Sequence, residues 1–304
     1  MKILLAVDGS RYSEVAMGLL KALKIGKKAE ATILTVIPEH VFLGGRTLVE
    51  LLGRSTALKA QVRKAEEEKA SGLLTKLSKS LAARGFKVET MVRRGSPADE
   101  IIKTCRSIRA DLVLVGFKGT SDTPEFLFGS VAHKVIKYAP CSVLVAKRGS
   151  KAIGRVLVPL DGSKHSHEAV QFLLRMPLPR DAEVLLLTVV QAFAAAFVQA
   201  YTLNLERDRH IIAELQKAEE EAAERLMTEA ESQFRRGGYK VSAIVARGDP
   251  SKEILREAAR QNVDLIALGA KGLTGVRGFL LGSVAQRIAR YARSSVLIVR
   301  PLKG

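Results

Sequence analysis

The chain has 304 residues, of which 47% are hydrophobic and 26% are charged, and its formal net charge is +18. This length suits about two domains, and the composition is that of a globular protein, which excludes a disordered or low-complexity chain. The longest apolar stretch, residues 192–203, is too short to span a bilayer, and two cysteines make neither a disulfide framework nor a metal cluster. Because Asp8 precedes any secretory apolar core, we expect a cytoplasmic protein.

The first half of the chain predicts alternating strands and helices. Residues 2–7 form a continuous apolar run, as in a strand covered on both faces, and Ser10 is suited to cap the helix that follows. A second strand at 31–37, a long loop and a charged helix at 57–84 come next, followed by a strand at 87–92. Pro97 suits the first turn of a helix to about residue 109, and the series ends with a strand at 112–116, a helix at 130–138 and a strand at 142–146.

The second half repeats the first at a constant offset of 153 residues. Ala6-Val7-Asp8-Gly9-Ser10 returns as Pro159-Leu160-Asp161-Gly162-Ser163, and Tyr138-Ala139 returns as Tyr291-Ala292. We therefore predict two domains of one architecture, residues 1–148 and 154–304, with the second long helix at about 209–236. Alternating buried strands and helices indicate α/β domains with parallel, doubly wound sheets. Ten strands are also enough to close one barrel, but the repeat favours two sheets.

Spaced glycines follow the fourth strand of each copy. In the second copy Gly269 and Gly272 are followed after nine residues by Gly282-Ser283; in the first copy Gly116 and Gly119 precede Gly129-Ser130 in the same way. Glycines let the backbone approach an anion, and the free N–H groups of a helix N-terminus favour phosphate. Lys271 adds a cation to the second loop, as Lys118 does to the first. If the first and fourth strands flank the point where strand order reverses, Asp161 faces the same crevice as this loop.

On these residues the chain resembles the universal stress protein family twice over, across essentially its full length. The resemblance implies, for each domain, a five-stranded parallel sheet of order 3-2-1-4-5 with helices on both faces, and binding of ATP or AMP, with or without Mg²⁺. The positions that it assigns to the ligand in the second domain are Pro159, Leu160, Asp161, Val189, Leu268, Gly269, Gly272, Gly282, Ser283 and Val284, to which the charge of the loop adds Lys271. The equivalent positions in the first domain are Val7, Asp8, Val36, Val115, Gly116, Gly119, Gly129, Ser130 and Val131.

The two glycine loops differ in charge. The first contains Asp122, Pro124 and Glu125, which place two anions and a missing N–H beside the phosphate path, whereas the second contains Arg277. Like charges repel phosphate unless a metal ion bridges them. We therefore expect the second domain to hold the nucleotide, and the charges count against binding by the first.

These patterns favour a nucleotide-responsive stress or regulatory protein that acts through a change of shape or assembly. Catalysis has little support, because the sequence lacks a phosphate loop with a lysine and a Ser-His-Asp set with usable context; turnover is expected to be weak ATP hydrolysis at most. We predict that the last strands of the two domains pair antiparallel around Val143, Val145, Val296 and Ile298, so that one chain mimics a homodimer. A homodimer of whole chains stays open.

The positive charge leaves other partners open. Residues 1–150 carry 26 Lys and Arg against 14 Asp and Glu, and residues 151–304 carry 23 against 17. Such a surface suits anionic partners, and the alternative function is a non-nucleotide interaction or chaperone-like module with an unknown acidic protein partner. A slow ATPase is a further alternative. No segment combines basic and aromatic residues as a nucleic-acid platform does, so nucleic acid is the least expected partner.

Overall fold

A computed structural model describes residues 1–23, 25, 29–39, 42–43, 46–47, 55–119, 128–147, 153–176, 178–190, 209–273 and 281–301. The chain divides into two compact units, Met1–Lys151 and Ala152–Pro301, called domain 1 and domain 2 below. The apolar stretch at 192–203 and the residues Asp122, Pro124, Glu125 and Arg277 lie outside the described residues.

Domain 1 contains seven described strands and four described helices. Its elements are β1 (Lys2–Ala6), α1 (Arg11–Ala22), β2 (Glu30–Pro38), β3 (Phe42–Leu43), β4 (Arg46–Thr47), α2 (Thr56–Ala82), β5 (Lys87–Gly95), α3 (Pro97–Ser107), β6 (Leu112–Gly116), α4 (Ser130–Tyr138) and β7 (Ser142–Ala146). Five of the strands form a parallel sheet of order β5-β2-β1-β6-β7. The short strands β3 and β4 pair antiparallel within a segment predicted as a loop; two-residue strands are too short to show a periodic pattern.

Domain 2 repeats the main elements. They are β8 (Arg155–Leu160), α5 (Lys164–Arg175), β9 (Glu183–Val190), α6 (Arg209–Arg236), β10 (Lys240–Arg247), α7 (Pro250–Arg260), β11 (Leu265–Gly269), α8 (Ser283–Tyr291) and β12 (Ser295–Val299). Its parallel sheet has the order β10-β9-β8-β11-β12. Counted within each domain, both sheets have the order 3-2-1-4-5, so the predicted doubly wound architecture is confirmed.

The core of each domain consists of the central strands and the helix faces that cover them. Leu4 and Leu114 are fully buried in domain 1, and Leu157 and Ile266 are fully buried in domain 2. Continuous apolar strands are the composition that a sheet with helices on both faces requires, because neither face of the strand meets water. The sheet therefore holds the carboxyl ends of β8 and β11 side by side at a fixed spacing.

Local signals set the helix ends as the sequence predicts. Ser10 and Ser163 are N-caps whose hydroxyls accept from the backbone N–H groups of Ser13 and Ser166. Pro97 and Pro250 open α3 and α7, where proline loses no helical hydrogen bond. These short turns connect each strand directly to its helix, so the turns lie at the carboxyl ends of the strands.

The two cysteines pack together in the core of domain 1. Both are buried, and a hydrogen bond with Cys141 together with desolvation raises the pKa of the Cys105 thiol. A protonated, buried thiol is a poor nucleophile, so both cysteines act as core residues. None of the described helices is apolar over a length sufficient to cross a membrane.

Candidate functional site

The candidate site in domain 2 begins where β8 ends. Gly162 takes a positive φ of 73° directly after Asp161, which turns the chain into α5. The Ser163 N–H donates to Asp161 Oδ1 at 3.0 Å, so the carboxylate is fixed at the end of the strand and stays exposed. An anchored carboxylate at this edge can accept further hydrogen bonds from a ligand's hydroxyl groups.

The glycine loop after β11 closes onto this carboxylate. The Leu273 N–H donates to Asp161 Oδ2 at 3.3 Å, and a Cβ added to Gly272 would lie 2.7 Å from the same oxygen. Gly269 meets the first turn of α5 as closely, because a Cβ there would lie 2.5 Å from the carbonyl oxygen of His165. These glycines are therefore required by close backbone approach, and they join the β11 loop to the Asp161 turn in one crevice.

The far end of the loop leads into α8. The Gly282 N–H donates to the carbonyl oxygen of Ala270 at 2.8 Å, which joins the two described ends of the loop before the helix begins. Gly282 is the N-cap, and no side chain among the described residues caps the helix. Ser283, the first helical residue, is exposed. The first N–H groups of α8 and the Ser283 hydroxyl are thus suited to an anion in the crevice.

The other predicted ligand positions of domain 2 border this crevice or support it. Leu160 pairs with Thr188 in the sheet, so Val189 follows at the next position of β9, beside the Asp161 turn. Leu160 and Leu268 are buried, with 3% and 4% exposure, and therefore act as floor residues. Pro159, Val189, Lys271 and Val284 are partly exposed.

Domain 1 contains the same turn with a different side-chain contact. Asp8 Oδ1 accepts from the Ser10 N–H at 3.0 Å, and a Cβ on Gly119 would lie 2.7 Å from Asp8 Oδ2, as at the matching position of domain 2. In addition the Ser13 hydroxyl donates to Asp8 Oδ1, whereas the matching Ser166 hydroxyl donates to the Ser163 carbonyl oxygen instead. The Ser13 side chain therefore adds a contact to Asp8 Oδ1 that Ser166 does not make with Asp161.

The predicted ligand positions of domain 1 are otherwise arranged as in domain 2. Val7 and Val115 are buried, Val36, Gly116, Gly129 and Val131 are partly exposed, and Ser130 is exposed at the start of α4. The loop is tighter than its counterpart, because a Cβ on Gly129 would lie 2.8 Å from the Phe117 carbonyl oxygen, whereas the nearest atom to a Cβ on Gly282 is at 3.3 Å.

Aromatic side chains form a cluster at the two described ends of the glycine loop of domain 1. Phe117 is 7% exposed and stacks on Phe128 with 5.2 Å between ring centroids, while the edge of its ring meets Tyr12 at 6.1 Å. His133 completes the cluster against Phe128. The matching positions of domain 2 hold Ala270, Leu281, His165 and Gln286. This difference was missed from the sequence, although comparing the two repeats position by position would have revealed it.

Lys147 covers the aromatic cluster at the end of β7. Its Nζ lies 4.4 Å from the centroid of Phe117, which is cation–π distance. Burial lowers the pKa of the Lys147 amine to about 7, because desolvation disfavours the charged form. The matching position of domain 2 holds Arg300, so the two domains differ at this position.

His165 is a second residue that sequence reasoning left out of the site. Its Nδ1 lies 3.0 Å from Glu168 Oε2, and its backbone supports Gly269, so it positions the loop from the first turn of α5. Among the described residues no group of three His, Cys, Asp or Glu side chains is placed to hold a metal ion.

Comparison with known proteins identifies both halves of the chain. The model of the universal stress protein family matches residues 1–147 and again residues 152–300. A universal stress protein of Methanocaldococcus jannaschii, MJ0531, is 33% identical over 160 residues, which cover 52% of this chain and 89% of that protein. A universal stress protein of Mycolicibacterium smegmatis is 28% identical over 253 residues, which cover 80% of each chain.

A solved structure agrees with the two-domain architecture. The crystal structure of a universal stress protein from Archaeoglobus fulgidus superimposes with a TM-score of 0.62 at 22% identity, covering 98% of both chains. At 22% sequence identity, this similarity shows that the two proteins share a fold.

Proposed function

Because the chain belongs to the universal stress protein family, as its two matches to the family model show, we propose that it is a regulatory stress protein whose domain 2 binds ATP or AMP. The observation that carries the proposal is the contact between Asp161 and the glycine loop. One carboxylate at the end of β8 accepts from Leu273 in the loop and leaves no room for a Cβ on Gly272. A group that recognises sugar hydroxyls therefore lies next to backbone suited to phosphate.

The proposed ligand spans the crevice between β8 and β11. Strand order reverses there, because β9 lies on one side of β8 and β11 on the other; ligands of doubly wound sheets bind beyond the strand ends at such a point. The adenine and ribose would contact Pro159, Asp161 and Val189. The phosphates would contact the backbone from Gly269 to Gly272 and the start of α8 at Gly282 and Ser283, with Lys271 as the nearby cation.

The function that follows from this site is binding, and the output is a change of conformation or assembly. The Asp161 carboxylate already accepts from two backbone N–H groups, so it holds the loop in place and is poorly suited to take a proton from water. The loop and α8 are the elements whose order a bound nucleotide would change. An Mg²⁺ ion would accompany the phosphates of ATP rather than occupy a separate site in the protein.

The features of domain 1 support a single nucleotide per chain. Phe117 is buried and stacks on Phe128 at the two ends of the first loop, and the Ser13 hydroxyl donates to Asp8 Oδ1, a contact without a counterpart at Asp161. We therefore propose that domain 1 binds no nucleotide and has a structural role, whereas domain 2 responds to the ligand.

The test is a calorimetric titration of the nucleotide-free chain with ATP and Mg²⁺, repeated with AMP. We expect one site per chain. Gly282→Val places branched carbons against the loop at Lys271 and is expected to weaken binding at least about tenfold. Gly129→Val, the matched change in domain 1, is expected to leave the affinity unchanged.

Other results would contradict the proposal in different ways. Two sites per chain would show that the aromatic cluster does not exclude nucleotide from domain 1. No binding of either nucleotide would refute the nucleotide site itself and would leave the interaction module as the function.

A further inference from the structure

A surface with six exposed cations covers α7 and α8 of domain 2, and nucleotide binding does not explain it. We define the α7–α8 cationic face by six exposed side chains: Lys252, Arg256, Arg260, Arg287, Arg290 and Arg293. Three lie along α7 at helical spacing, two lie along α8, and Arg293 follows α8 directly. The α7 and α8 helices pack against each other, and Arg287 of α8 lies 3.6 Å from Asp249, the N-cap of α7.

Two carboxylates of α7 form ion pairs with arginines of this face: Glu253 with Arg256, and Glu257 with Arg256 at 3.7 Å and with Arg260 at 2.7 Å. Glu253 and Glu257 have side chains only 14% and 6% exposed. In the described segments 249–260 and 283–293, Asp249 is the one exposed acid. By contrast, α6 of the same domain carries seven glutamates against five lysines and arginines. The two segments together therefore carry six cations against three acids, a net charge of +3, whereas α6 has a net charge of −2.

An exposed aromatic ring lies within the same face. Tyr291 ends α8 with 60% of its surface exposed, and the guanidinium of Arg290 lies 5.4 Å from the centroid of its ring. Aromatic and arginine planes of this kind are platforms on which unpaired nucleobases stack. Since the ring stands clear of the core, it is available to a ligand on the surface.

From this face we infer that domain 2 binds single-stranded nucleic acid, with the six cations along the phosphates and Tyr291 against a base. Protein–protein interfaces have an apolar centre depleted of charge, whereas nucleic-acid interfaces are markedly more polar and more positive. The α7–α8 cationic face is of the second kind. From the sequence, nucleic acid is the least expected partner. The sequence does not reveal this face, because the cations and the ring come from two helices separated by more than twenty residues.

The experiment measures the fluorescence anisotropy of a labelled oligouridylate of about twelve nucleotides, and of the matching oligothymidylate, titrated with the full chain at several salt concentrations. The test variant is Lys252→Gln/Arg287→Gln/Arg293→Gln, which removes exposed cations without leaving the buried Glu257 unpaired. The control variant is Lys217→Gln/Arg225→Gln/Arg236→Gln on α6, which removes the same charge from another surface of domain 2. Circular dichroism confirms that both variants fold.

We expect the test variant to bind at least about tenfold more weakly than the parent, with a logarithmic salt slope smaller by about 2, because each phosphate contact with a single strand contributes about 0.7. The control variant is expected to bind nearly as well as the parent. Tyr291→Ala is expected to weaken binding about fivefold or more without changing the salt slope, since stacking releases no counterions.

Three results would overturn the inference. Equal weakening by the test and control variants would show that only net charge matters. Displacement of the oligonucleotide by polyglutamate at equal charge would indicate a surface for an acidic protein. No binding at about 0.05 M salt, where phosphate contacts are strongest, would show that the face does not bind nucleic acid.

Discussion

The contact between Gly272 and Asp161 is the residue-level constraint that involves the candidate carboxylate directly. A side chain at 272 would enter the space of Asp161 Oδ2, and Gly119 stands in the same relation to Asp8. The two glycines therefore offer one substitution in two equivalent surroundings, of which only one is proposed to hold nucleotide.

Gly272→Ala is predicted to weaken ATP binding by about tenfold or more, because Asp161 must leave its position to admit the methyl group. Calorimetry of the variant and of Gly119→Ala measures this. Gly119→Ala disturbs domain 1 in the same way and should leave the affinity unchanged. A similar loss in both variants would mean that the effect comes from general destabilisation.

The buried Lys147 makes the stability of domain 1 depend on pH. Its amine has a pKa of about 7 in the folded chain and about 10.5 when unfolded, so its burial costs free energy while it is charged. Below pH 7 both states are protonated and the full cost is present. Between pH 7 and pH 10.5 the amine is protonated in the unfolded state and largely neutral in the folded state. The unfolded state therefore binds more protons than the folded state, and the stability of the parent increases as the pH rises.

Lys147→Met is therefore predicted to raise the Tm of domain 1 at about pH 6, with a gain that shrinks as the pH approaches about 10. Thermal unfolding of parent and variant across this range measures the difference. Lys137→Met, an exposed lysine on α4, is the control. A gain that is constant with pH would refute burial of a charged amine as its cause.

At the scale of helices and strands, the sequence contained most of what positions the site. Ser10, Ser163, Pro97 and Pro250 are local signals, because a cap or a first-turn proline acts within one turn of the helix. The apolar runs predicted the buried strands for the same reason. The β3–β4 hairpin was missed because two-residue strands have no periodicity.

Contacts between distant segments could not be predicted in this way. The hydrogen bond from Leu273 to Asp161 joins residues 112 positions apart, and the aromatic cluster of domain 1 combines Tyr12 with Phe117 and Phe128. Spacing indicated which residues belong to the candidate site, but the packing that distinguishes the two loops depends on the fold.

At the scale of the whole molecule, the antiparallel pairing of β7 with β12 stays a prediction. Each is the last strand of its own five-stranded sheet and pairs on one side with β6 or β11. In a strand that is hydrogen-bonded on one side only, alternate N–H groups donate and are protected from hydrogen exchange. In a strand that is bonded on both sides, consecutive N–H groups are protected.

Hydrogen exchange measured by NMR is therefore predicted to show consecutive protected amides in β7 and β12, including Val143, Val145, Val296 and Ile298. The strands β5 and β10, at the opposite edges of the two sheets, are the internal controls and should show alternation. Alternating protection in β7 and β12 as well would contradict the pairing.

The single carboxylate of Asp161 has a thermodynamic effect on any ligand that uses the crevice. It fixes the loop through Leu273 and, in the proposed complex, also accepts from the ribose. The free energies of binding for the nucleoside and phosphate fragments then cannot be additive, because whatever occupies one end changes how firmly the other end is held. Adenosine and pyrophosphate would each alter the affinity for the other by the same factor, and the sign of that coupling would tell whether the ribose tightens the loop or competes with it.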